Sequence, residues 1–103
     1  MHDRAITDFD RALTLDPNYA AAYLNRGLAF SAGGLYDRAL TDFDHAVALN
    51  PNDAKSYNSR AVTWFFKKDY NKAWADVKRC RQVGGTLHPR FIELLQQASG
   101  RRE

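Results

Sequence analysis

Three aspartates, Asp8, Asp42 and Asp76, are evenly spaced along the chain, and Arg26 and Arg60 are separated by the same interval. Opposite charges repeating in step can pair. The expectation is an ion pair of Asp8 with Arg26 and of Asp42 with Arg60, structural contacts that fix the register of successive helices more than they add stability. Groups able to do covalent chemistry are sparse. There is no nucleophile motif, no glycine-rich phosphate loop after a strand, and no His and carboxylate at catalytic spacing, so the chain reads as not an enzyme. Cys80 is the single cysteine and His2, His45 and His88 are scattered. That excludes an internal disulfide and leaves no metal site and no cofactor to expect.

The elements that must position these charges are written twice. DRAITDFDRALTLDPN, from Asp3, returns as DRALTDFDHAVALNPN, from Asp37, with identity at eleven of sixteen places. Between the copies Tyr23, Gly27 and Phe30 fall at i, i+4 and i+7, and Tyr57, Ala61 and Trp64 repeat that spacing one period later. Ala39, Phe43 and Ala46 do the same in the second copy, as Ala5, Phe9 and Ala12 do in the first. This is the period of one helix face, so each repeating unit is two amphipathic helices. Asp16-Pro17-Asn18 and Asn50-Pro51-Asn52 end helices, because proline cannot continue the backbone ladder. Gly33-Gly34 and Lys68-Asp69 occupy the turns inside the two pairs. Helices are expected near 3–15, 20–32, 36–49, 54–67, 70–83 and 88–98, with no strand.

Small residues such as Gly27, Ala39, Ala46, Ala61 and Ala73 let helix axes approach to about 8–10 Å, and Tyr23, Phe30, Phe43, Tyr57 and Trp64 fill the space beside those contacts. Such a pair cannot cover its own apolar face. Stacking of neighbours completes the core. The order aromatic, small, aromatic, alanine, phenylalanine, alanine, proline in Tyr23, Gly27, Phe30, Ala39, Phe43, Ala46 and Pro51 resembles a tetratricopeptide repeat. Tyr57, Ala61, Trp64, Ala73, Val77 and Cys80 give a looser second copy, with Gly84-Gly85 in place of the closing proline. The resemblance covers about residues 3–86. It implies an all-α, right-handed α-solenoid of antiparallel helix pairs, about two and a half repeats in one domain over 1–103: a half repeat at 3–19, repeats at 20–53 and 54–86, and a capping helix at 88–98.

The resemblance also implies a non-catalytic module for protein–protein interaction. In such arrays the first helix of each pair lines a concave groove for a peptide or a partner's helix. Here the groove residues would be Leu24, Asn25 and Leu28, then Lys55, Asn58, Ser59, Val62 and Phe66. One subclass clamps the C-terminal carboxylate of heat-shock chaperones with two lysines, two asparagines and an arginine. Asn25 and Lys55 match two of these groups, and Ser59 stands where the arginine belongs. An acidic peptide suits Lys55; the carboxylate preference lacks its bidentate donor.

In the last segment Phe91, Leu94, Leu95 and Ala98 are expected to form an apolar stripe, with Arg90, Glu93, Gln97 and Ser99 on the polar side. Pro89 suits a first helical turn. At the other end the chain opens on the second helix of a pair, so Ala5, Phe9 and Ala12 form an apolar face available for self-association as a homodimer, the main alternative to peptide binding. Phe65 and Phe66 diverge by about 100° and cannot both face inward.

Charge is divided unevenly. Residues 1–51 carry four basic and seven acidic side chains, and residues 52–103 carry eleven and five. A basic half interleaved with aromatics can bind single-stranded nucleic acid, yet no nucleic-acid motif accompanies it, so that partner is disfavoured. No apolar run approaches the roughly 20 residues of a membrane span, and the start lacks the features of a signal or transit peptide. The expected location is cytoplasmic.

Overall fold

In a computed structural model the described residues are 2–102, with side chains described over 4–102. They form six α-helices and no strand: α1 (His2–Leu15), α2 (Ala20–Ala32), α3 (Tyr36–Leu49), α4 (Ala54–Phe66), α5 (Tyr70–Gln82) and α6 (Pro89–Ser99). Each boundary lies within one residue of the sequence expectation. Contacts divide the chain into two compact units, 1–52 and 53–103.

In the first unit α1, α2 and α3 follow one another as antiparallel neighbours. Leu24, Phe30, Ala39, Phe43 and Ala46 make its core, with Ile6 of α1 and Tyr23 packed against it. Gly27 is where α2 comes closest to α3. A Cβ there would stand 2.6 Å from one ring carbon of Phe43 and 2.8 Å from another, nearer than carbon atoms pack, so the phenylalanine occupies the volume the glycine leaves empty.

In the second unit α4 and α5 form the equivalent hairpin, and α6 covers it. Ala61, Ala73, Trp74, Val77 and Leu95 are the core, with Trp64, Phe65, Tyr70, Leu87, Phe91 and Ile92 around it. Where the first hairpin opposes Gly27 to Phe43, the second opposes Ala61 to Val77; one side chain gains what the other gives up. Asp53 caps α4, accepting from Lys55 N at 3.3 Å and from Ser56 Oγ at 2.7 Å, and Asp69 caps α5 through Lys72 N. His88 caps α6 with its Nδ1, and Pro89 begins the helix.

Both hairpins turn in the same way. Gly34 N–H donates to Ser31 O and Leu35 N–H to Phe30 O; at the equivalent places of the next repeat Lys68 N–H donates to Phe65 O and Asp69 N–H to Trp64 O. This closure needs one left-handed residue. Gly34 supplies it at φ 79°, and Lys68 supplies it at φ 65° although it carries a side chain.

The face of α6 differs from the one expected. Leu95 is fully buried and Phe91 and Ile92 pack on the core, whereas Ala98 is exposed. Ser99, assigned by sequence to the polar side, turns inward: it accepts from Trp74 Nε1 at 2.9 Å and donates to Leu95 O at 2.6 Å. The indole needs an acceptor when buried, and this rotates the helix relative to a purely apolar reading. The adjacent phenylalanines separate as helix geometry requires. Phe65 meets Phe91 edge-on at 5.7 Å, while Phe66 is 53% exposed.

Candidate binding faces and the ion pairs beneath them

On α4, Lys55, Ser59, Val62 and Phe66 fall at i, i+4, i+7 and i+11, one stripe along the helix. Lys55 and Phe66 are exposed; Asn58, Ser59 and Val62 are half-buried beside them. Ser59 Oγ donates to Lys55 O at 2.9 Å, so its hydroxyl proton is engaged with the helix backbone. The stripe therefore offers a cation at one end and an aromatic ring at the other, with apolar Val62 between. On α2, in the other unit, Asn25 and Leu28 are exposed. Leu24 corrects the sequence expectation. It is 6% exposed and belongs to the core, because it faces the interior beside Phe43 rather than lying along the exposed side.

The ion pairs also differ from those expected. Arg26 Nε and Nη2 donate to the two carboxylate oxygens of Asp42 at 2.9 and 2.7 Å, and Nη1 donates to Asp10 at 2.8 Å. Arg60 makes the same fork with Asp76, at 2.8 and 2.7 Å, and Arg79 joins Asp76 at 3.1 Å. Each arginine thus grips the aspartate of its own hairpin, not the pairings Asp8 with Arg26 and Asp42 with Arg60. Helix geometry gives the reason. Residues two apart point about 200° away from each other, so with Asp10 facing α2, Asp8 points to the opposite side of α1. Asp10 escaped the sequence reading, although its recurrence as Asp44 one period later would have flagged it.

Asp42 and Asp76 are buried, and the two-point fork with a guanidinium satisfies both oxygens of each. The hydrogen bonds from Asp42 raise the Arg26 guanidinium above its ordinary value, burial opposes that shift, and Asp10 adds to it. Arg26 stays charged. Its plane also lies over the rings of Tyr23 and Phe30, at 5.8 and 5.9 Å. Both arginines are thereby occupied within the fold. A shallow cavity of about 470 Å3 lies elsewhere in the second unit, on α5, over Trp74, Val77, Lys78, Arg81 and Gln82.

On α1, Ile6 packs on the core and Leu13 is buried, two residues the sequence reading did not single out. Ala5, Phe9 and Ala12 are half-buried and lie on another side of that helix. Among the described residues no group of three or more His, Cys, Asp or Glu could hold a metal ion. Among the same residues no helix is long and apolar enough to cross a membrane.

Antiparallel helix hairpins recurring at one fixed period define an all-helical repeat protein. Family models agree: one for "TPR repeat" matches residues 2–34 and one for "Tetratricopeptide repeat" matches residues 20–53. The chain belongs to the tetratricopeptide repeat family. No curated protein matches the sequence. Among solved structures, the first TPR of Spaghetti (RPAP3) bound to the HSP90 peptide SRMEEVD is 25% identical, with a TM-score of 0.87 over 97% of this chain and 81% of that one. The Sgt2 TPR domain from Aspergillus fumigatus is 22% identical, with a TM-score of 0.83 over 96% of this chain and 66% of that one. YrrB, described as a TPR protein with an unusual peptide-binding site, is 21% identical, with a TM-score of 0.76 over 97% of this chain and 49% of that one. The last two likenesses concern the fold alone.

Proposed function

We propose that the chain is a non-catalytic interaction module, acting in the cytoplasm, that holds an extended peptide or a partner's helix against α4; Asn25 and Leu28, exposed on α2 in the other unit, are a separate candidate contact. The observation that carries this reading is the stripe Lys55, Ser59, Val62, Phe66, which leaves a cation and a phenylalanine exposed on a helix whose other side is anchored in the core. A rigid helix loses little freedom on binding, so more of the contact energy remains as affinity. Lys55 favours an acidic peptide. The solved relative that carries an acidic HSP90 peptide supports this class of ligand. With Ser59 in the arginine's place, one bidentate donor fewer is available, so acidity matters more than a free C-terminal carboxylate.

Fluorescence anisotropy with the peptide SRMEEVD, in free-acid and amidated forms, tests the proposal. Both forms should bind within a few-fold of each other, and the variant Lys55→Glu should weaken both by about tenfold or more. Equal binding by variant and parent would end the assignment. Self-association through Ala5, Phe9 and Ala12 is the second reading, supported by their half-exposed state on α1. Light scattering across concentration separates the two, since only self-association gives a dimer that Phe9→Glu disperses.

A further inference from the structure

The turn inside the second hairpin is built like the first but charged differently. Gly33, Gly34 and Asp37 of the first unit are replaced, one period later, by Lys67, Lys68 and Asn71, so two cations enter and a carboxylate becomes a neutral amide. Closing the hairpin requires none of this. Lys68 holds φ 65° where glycine closes the other turn without strain, and backbone strain that is kept points to a task for the side chain. The tail after α6 folds onto the same end. Arg101 N–H donates to Ser99 Oγ at 3.2 Å, Arg101 Nη1 donates to Asn71 Oδ1 at 2.9 Å, and the guanidinium lies 5.9 Å from the centre of the Trp74 ring. Lys67, Lys68, Asp69, Tyr70, Asn71 and Ser99 line a shallow cavity of about 440 Å3, and Arg101 reaches its rim through Asn71. We infer that this cavity binds a cluster of phosphate groups carried on one small scaffold, an inositol polyphosphate either free or as a lipid headgroup.

Charge and size argue for that ligand together. Lysine ammoniums are donors without an acceptor and take phosphate as point charges, and an arginine adds a planar fork matched to phosphate oxygens. Asp69 is the carboxylate in the lining, yet its charge is answered from α5: one oxygen accepts from Lys72 N at 3.2 Å and the other lies 3.8 Å from Lys72 Nζ. The two lysines of the turn leave the cavity cationic. One phosphate fills only a small part of the volume, whereas several on a ring can meet Lys67, Lys68 and Arg101 at once. Single-stranded nucleic acid needs an open aromatic platform for its bases as well as charge. Trp74 is buried beneath Arg101 and offers none. The site does not use Lys55, Ser59 or Val62, so its failure would leave the peptide proposal standing.

The probe is inositol hexakisphosphate, titrated calorimetrically into the intact protein at about 0.15 M salt to suppress loose surface attraction. The parent should bind it, and Lys67→Gln with Lys68→Gly should weaken binding by about tenfold or more. Glycine suits the left-handed position, so this variant keeps its fold, which circular dichroism verifies. Lys78→Gln with Arg81→Gln removes the same charge from the other cavity of α5 and should change the affinity by less than about twofold. Sedimentation with phosphatidylcholine vesicles, with and without phosphatidylinositol bisphosphate, identifies the source. Pelleting only with the phosphoinositide assigns the lipid headgroup, and binding of the soluble probe without pelleting assigns the free polyphosphate. Absence of binding by folded protein, an equal loss in the two double variants, or tighter binding of a short single-stranded oligonucleotide overturns the inference.

Discussion

At Gly27 the missing side chain is what admits Phe43. Adding a methyl group forces the ring aside, a strain of about 1–3 kcal/mol that exceeds the roughly 1 kcal/mol alanine gains in a helix. Gly27→Ala should therefore lower stability, by up to about 2 kcal/mol in urea unfolding. In a Phe43→Val background, which recreates the Ala61 with Val77 combination, the same change should become neutral or stabilising, and a double-mutant cycle measures the coupling. Cys80 gives a pH signature. Burial pushes its thiol up from the ordinary 9.0, opposed by the charge of Arg81. A thiol raised in the folded state holds its proton there more tightly than in the unfolded chain, so its contribution is full below pH 9.0 and is lost as pH climbs through the raised folded value. Cys80→Ala, which copies Ala46 at the same repeat position, should flatten the fall in stability above that pH, read by unfolding at about pH 8 and about pH 10.

At the level of elements, the two hairpins share one closure but not one residue. Lys68 adopts the left-handed conformation that Gly34 adopts without penalty, at a cost of about 1–2 kcal/mol for a residue with a Cβ. Glycine gives back part of that through its freer unfolded state. Lys68→Gly should still stabilise the protein by about 0.5–1 kcal/mol, a rise in Tm of roughly 3–6 °C. Thermal unfolding by circular dichroism decides it, and an unchanged or lower Tm would mean the lysine side chain makes a compensating contact. The closing helix is fixed by a polar contact as well as an apolar one, since Ser99 receives the Trp74 indole where its neighbour Ala98 stays in solvent.

Across the whole molecule the two contact units coincide with the division of charge. Residues 1–52 carry a net −3 and residues 53–103 a net +6. An acidic peptide drawn to the second unit should feel that field before it touches Lys55. Its affinity should fall by several-fold, roughly 3–10-fold, when salt rises from about 0.05 to about 0.5 M, because the screening length shrinks to a few Å. A single-stranded nucleic acid would lose far more over the same range through counterion release. Anisotropy titrations of SRMEEVD and of a short oligonucleotide, side by side, separate the two partner classes.

The sequence alone determined the helices, their boundaries and the family, because the repeat period, the prolines at the turns and the small-to-aromatic spacing are local features that a single chain repeats in the open. It also marked Asn25, Leu28, Lys55 and Phe66 as residues that lie at the surface. What the tertiary structure decided is which sides meet. Leu24 went to the core, Ser99 turned to the indole, and Arg26 and Arg60 chose Asp42 and Asp76, the aspartates of the helices that follow their own. The angle between helices, which no one-dimensional period contains, sets which of two equally periodic charges comes within hydrogen-bonding reach.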